Sequence, residues 1–165
     1  MLDQAINDYH ALLTPDLARA SQEALTKLQQ ENNIFFGSRP LCTVLRPHFL
    51  SSDQLDLISD VCGLVARASR RVVNYALTDA ATLDQLALTA GEKQLIDLDP
   101  GYAEMSVSSR LDSFLTTDSS SFQFVEYNAE SPAAIAYEDV LSAVFEQLPI
   151  MQEFSKHYHV EALPA

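Results

Sequence analysis

The chain has 165 residues, 47% hydrophobic and 20% charged, which suits one soluble globular domain with a core of its own. Its formal net charge of −13 argues against nucleic acid and anionic membrane as partners, since both call for a basic face. No run is apolar enough to span a bilayer, Met1-Leu2-Asp3-Gln4 lacks the basic start of a secretory signal, and Cys42 and Cys62 form no CxxC pair. We therefore expect a cytoplasmic protein with two reduced thiols and neither a disulfide framework nor a zinc knuckle.

Leu2, Ile6, Tyr9 and Leu13 recur at helical spacing, and Thr14-Pro15-Asp16 restarts the helix with a cap, a first-turn proline and an acid at the positive end of the dipole. Leu17, Ala24, Leu25 and Leu28 continue the stripe up to Glu31-Asn32-Asn33. Leu41-Cys42-Thr43-Val44-Leu45, bracketed by Gly37, Pro40 and Pro47, reads as a short strand. The longest helix starts at Ser51-Ser52-Asp53-Gln54, in capping-box spacing, and carries Leu55, Ile58, Val61, Cys62, Val65, Ala68 and Val72 on one side. Its acids come early (Asp53, Asp56, Asp60) and its bases late (Arg67, Arg70, Arg71), an order that matches the helix dipole. Two shorter helical pieces follow at about 79–89 and 91–97, ended by the turn residues Asp97-Leu98-Asp99-Pro100-Gly101.

From 103 to 112 the period becomes two, a strand; 116–121 is a polar turn; 122–128 is a second strand. Ser131 and Pro132 then read as the cap and first residue of a helix whose buried side is Ile135, Val140, Leu141, Val144, Phe145 and Leu148. Pro149 interrupts it, a short piece follows, and 157–160 can begin another strand. The expected fold class is α/β: a helix-rich N-terminal region with a small sheet that includes an antiparallel hairpin near 103–128.

That hairpin carries the chemistry. Arg110 and Asp112 share a face of one strand, Glu126 and Asn128 a face of the other. A turn centred on Ser119 would set Asp112 opposite Glu126 and Arg110 opposite Asn128, whereas a slip of one residue would separate the pairs. Two adjacent carboxylates disfavour joint ionisation unless a cation lies between them. Hard oxygen donors of this kind suit Mg²⁺, and a neighbouring guanidinium suits a phosphate. The same residues also fit a solvated sheet face with ordinary Arg–Asp and Glu–Asn pairs.

The string Val125-Glu126-Tyr127-Asn128-Ala129-Glu130-Ser131-Pro132 resembles the Glu-x-Asn-Ala-acid-Ser/Thr segment of circularly permuted ATP-grasp ligases, the group that includes glutathionylspermidine synthase. Arg110-x-Asp112 resembles the Arg-x-Asp that precedes it there. The resemblance implies an ATP-dependent carboxylate–amine ligase that forms an amide through an acyl phosphate. It implies Asp112, Glu126 and Asn128 as ligands of Mg²⁺ on the ATP phosphates, Arg110 as the catalytic stabiliser of the phosphoryl group, and Ser131 as a contact of the carboxylate substrate. Its partners would be a small-molecule acid and amine.

Pro132-Ala133-Ala134 departs from the small polar residues of the glutathione-using branch, so the resemblance does not specify glutathione. The chain has no Gly-rich phosphate loop. It reads as the N-terminal portion of a longer ligase, with the ATP-gripping lobes expected beyond it. Two rivals stand beside this reading: a non-catalytic, mainly helical binding or scaffold domain, and a hydrolase using Asp112 and Glu126.

Overall fold

The computed structural model describes residues 1–99, 101–102, 106 and 108–163. Its architecture is helix-rich α/β, with seven helices and two small antiparallel two-stranded sheets among the described residues. The chain forms two compact units, Met1–Ser51 with Pro132–Ala165, and Ser52–Ser131. Among the described residues no helix is long and apolar enough to cross a membrane.

The first unit holds the apolar core. Helices α1 (Leu2–Leu12) and α2 (Pro15–Glu31) meet at Thr14, whose hydroxyl accepts from the Leu17 N–H at 3.3 Å while Pro15 opens the second helix. Tyr9 and Leu25 are fully buried from this pair. From the C-terminal part come α6 (Ile135–Glu146) and α7 (Pro149–Phe154), which add Val144, Phe145, Leu148, Ile150, Met151 and Phe154. Pro149 begins α7 and brings no N–H of its own. The next amide, Ile150 N–H, is buried and donates to Ser21 Oγ on α2 at 3.1 Å, so the bared start of one helix is satisfied by a side chain of another. Phe154 packs on Tyr9 and Phe49 with ring centroids 5.2 and 5.1 Å away. The Tyr9 hydroxyl donates to the Leu45 carbonyl, and burial pushes its phenol up to about 12.

Three expectations are corrected here. Residues 41–45 do not form a strand. The strands are β1 (Phe35–Phe36) and β2 (Arg39–Pro40), folded back across Gly37 at a φ of 63°. The backbone of Cys42 is instead paired with the buried side chain of Gln29, whose amide donates to Cys42 O and accepts from Cys42 N, both at 2.8 Å. Residues 157–160 form no strand either. Tyr158 stacks on Phe154, centroids 4.6 Å apart, and its hydroxyl donates to Asp8 on α1, while His159 pairs with Glu161 at 2.9 Å. Helix α6 starts at Ile135, three residues later than Pro132. Ser131 and Ala134 have φ of 43° and 85°, a left-handed geometry that keeps 131–134 out of the helix.

The second unit begins with α3 (Ser52–Ala76), followed by α4 (Ala80–Gln85) and α5 (Ala90–Ile96). Asp79 caps α4 through Thr82, and Thr89 with Glu92 forms a reciprocal capping box on α5. The hairpin of β3 (Arg110–Leu115) and β4 (Phe122–Asn128) completes the unit. The first hairpin strand thus starts at Arg110. Of the earlier residues expected in it, 103–105 and 107 lie outside the described residues.

Gln29 is 1% exposed, and removing its amide leaves a backbone donor and acceptor unpaired beside the core. Gln29→Ala should lower the unfolding free energy by about 2–4 kcal/mol in urea titration. A loss below about 0.5 kcal/mol would mean that the amide does not hold the segment.

Candidate functional site

The hairpin closes through its own polar turn. Thr116 N–H donates to Ser121 O at 3.0 Å, Ser121 N–H donates to Thr116 Oγ1 at 3.0 Å, and Ser119 turns with a φ of 60°. The Thr116 hydroxyl, followed by the Ser120 backbone and side chain, draws the Asp118 carboxyl down to about 2. Gln54, near the start of α3, donates to the carbonyls of Thr116 and Thr117 at 3.3 and 3.2 Å, tying the turn to the helix within this unit.

Next to the turn, Leu115 pairs with Phe122, Phe114 with Gln123 and Ser113 with Phe124. Beyond it, Asp112 pairs with Glu126, Leu111 with Tyr127 and Arg110 with Asn128. The register therefore shifts by one residue between Asp112 and Ser113, and Val125 is the residue left without a partner, a β-bulge. A turn centred on Ser119 would have given one uninterrupted register. The two expected pairs are present, but they are reached through the bulge.

The bulge resolves a conflict in the sequence. Phe122, Phe124, Glu126 and Asn128 are spaced by two, so a regular strand would put all four on one face. With Val125 inserted, Phe122 and Phe124 stay together, ring centroids 4.9 Å apart. Glu126 and Asn128 move to the face of Asp112 and Arg110. The alternation of two aromatic and then two polar residues at the same parity is the signal from which this bulge can be read.

On that face Arg110 forks onto Asp112, Nε to Oδ1 at 2.7 Å and Nη2 to Oδ2 at 3.4 Å. The Asp112 carboxylate, and more weakly Glu126, raises the Arg110 guanidinium further above its ordinary value. Both partners of the fork are roughly two-fifths exposed, so solvent screens the pair. Asn128 is half-buried, and among the described residues its buried Nδ2 has no hydrogen-bond partner. An amide nitrogen left so is a donor facing an unfilled need. Ser131 is exposed and caps no helix.

The donor chemistry fits a hard cation with phosphate. Two opposed carboxylates and one amide oxygen match Mg²⁺, which takes one or two carboxylates and completes its shell with water and phosphate oxygens. The Asn128 N–H₂ would be answered by such an oxygen. Among the described residues no group of three or more His, Cys, Asp or Glu is placed to hold a metal. The Arg110 fork competes with any cation for Asp112. Compared with protein-family models, curated proteins and solved structures, the chain has no match.

The Asp118 carboxyl should titrate near pH 2 by NMR, against the ordinary 3.8. Because its folded value is depressed, its contribution is whole above about pH 4 and is lost as pH falls through 2. Protection of the Ser120 amide should fall over the same window, and a midpoint near 3.8 would contradict the turn geometry.

Proposed function

We propose that the chain is part of an ATP-dependent carboxylate–amine ligase of the circularly permuted ATP-grasp type, to which the hairpin contributes a Mg²⁺–phosphate face. The observation that carries this reading is the pairing of Asp112 with Glu126 and of Arg110 with Asn128, which brings the two motif halves onto one face. The resemblance of Arg110-x-Asp112 and Glu126-Tyr127-Asn128 to that family supports it further.

In this reading Asp112, Glu126 and the Asn128 amide oxygen hold Mg²⁺. Bound there, the ion would neutralise charge on the ATP phosphates. Arg110 has two roles. Without nucleotide it is the counter-ion of Asp112, keeping two carboxylates tolerable side by side. With nucleotide its planar fork serves a phosphate oxygen, stabilising negative charge on the phosphoryl group. The Asn128 N–H₂ orients the same phosphate. Ser131, just past the metal strand, contacts the acid substrate, whose identity the departure at Pro132-Ala133-Ala134 leaves open. The wider assignments rest on the resemblance: a small acid and amine as substrates, ATP gripped by lobes outside this chain, and a cytoplasmic location.

One observation favours the rival, a non-catalytic helical module. The Arg110–Asp112 fork is roughly two-fifths exposed, as a plain surface ion pair would be.

The two readings part on metal titration. Mn²⁺, used in place of Mg²⁺, should broaden the backbone NMR signals of 110–112 and 126–128 selectively, and Glu126→Ala should abolish this. Arg110→Ala should strengthen Mn²⁺ binding by removing a competing cation, yet weaken binding of Mn²⁺-ATP by about tenfold or more. Broadening unaffected by Glu126→Ala would sink the metal role.

A further inference from the structure

Helix α3 of the second unit carries exposed apolar residues. Among its described residues only Gln54 and Ala76 are buried. Leu64, Val72 and Tyr75 of α3 are 59%, 55% and 60% exposed. Leu57, Val61, Leu64 and Ala68, the first two half-buried and the last two exposed, follow one another at steps of four, three and four, the spacing of a coiled-coil seam. The next seam position is Arg71, which ends the apolar run.

Charge is arranged beside this seam. Asp60 and Arg67 are seven residues apart and flank it on the same side. Their side chains make no hydrogen bond or ion pair among the described residues. The helix dipole accounts for charges within the first and last turns, but these two lie more than two turns from either end of Ser52–Ala76. Their order needs another explanation.

We propose that α3 pairs antiparallel with α3 of a second copy of this chain, about a two-fold axis passing between Cys62 and Gly63. That axis sets Val61 against the partner's Leu64 and Leu57 against the partner's Ala68, each layer occurring twice. It also brings Asp60 beside the partner's Arg67, and Arg67 beside the partner's Asp60. A parallel pair would set acidic half beside acidic half and basic half beside basic half, so the charge order selects the antiparallel arrangement. The contact is self-complementary, as a closed two-fold interface must be. Neither proposal depends on the other.

Sedimentation of the whole chain at about 100 µM, where a micromolar dimer is populated, tests this. The wild type should sediment at twice the mass of the chain, and Leu64→Glu should raise the dissociation constant by roughly tenfold or more. Asp60→Arg and Arg67→Asp should each weaken the dimer, whereas the double variant should restore it. Circular dichroism checks that each variant stays helical. If Leu64→Glu unfolds, the charge-exchange series alone decides. A wild-type monomer at that concentration would overturn the proposal and leave the seam to a different protein. A dimer indifferent to these changes, or a double variant no better than the singles, would overturn it equally.

Discussion

Val125 has no partner in the hairpin ladder, and the proposed chemistry depends on that omission. A regular strand would carry Glu126 and Asn128 on the face of Phe122 and Phe124. With the near-turn register carried on through such a strand, Asp112 would face Val125 in place of a second carboxylate. One inserted residue reverses the parity midway, at the cost of a local interruption in the hydrogen-bonded ladder. The turn below must then hold the near-turn register firmly. The Thr116–Ser121 closure, the Asp118 carboxylate and the Gln54 amide all act there.

The electrostatics of the face follow from the same placement. Asp112 and Glu126 are opposed across the strands, and Arg110 is the guanidinium that makes this tolerable. A surface pair of this exposure contributes little to stability, about 0–1 kcal/mol. In the proposed role its interest lies in exchange: the carboxylate would trade a guanidinium for a divalent cation, and the guanidinium would trade a carboxylate for a phosphate. Asn128 has a buried nitrogen that finds no partner among the described residues.

What the sequence discloses about this fold depends on how local each cause is. The start of α2 was legible because Thr14 and Pro15 act within one turn. Thr89 and Glu92 could have been read in the same way. The pairing of Asp112 with Glu126 was legible from alternation, although the bulge behind it shows only in the shared parity of Phe122, Phe124, Glu126 and Asn128. Residues 41–45 misled because their apolar run is satisfied by Gln29, a side chain distant in sequence whose role no local pattern announces. The helix start near Ser131 misled for a different reason. Serine and proline there have the right chemistry for a cap, but two left-handed residues, Ser131 and Ala134, delay the helix to Ile135.

The most direct test of the shared metal face is a double-mutant cycle on Mn²⁺ affinity with Asp112→Asn, Glu126→Gln and the pair together. If one cation is held between the two carboxylates, either single change should remove most of the binding. The double variant should then lose far less than the sum of the two. Strictly additive losses, or affinity unchanged in either single variant, would contradict a shared site on this hairpin.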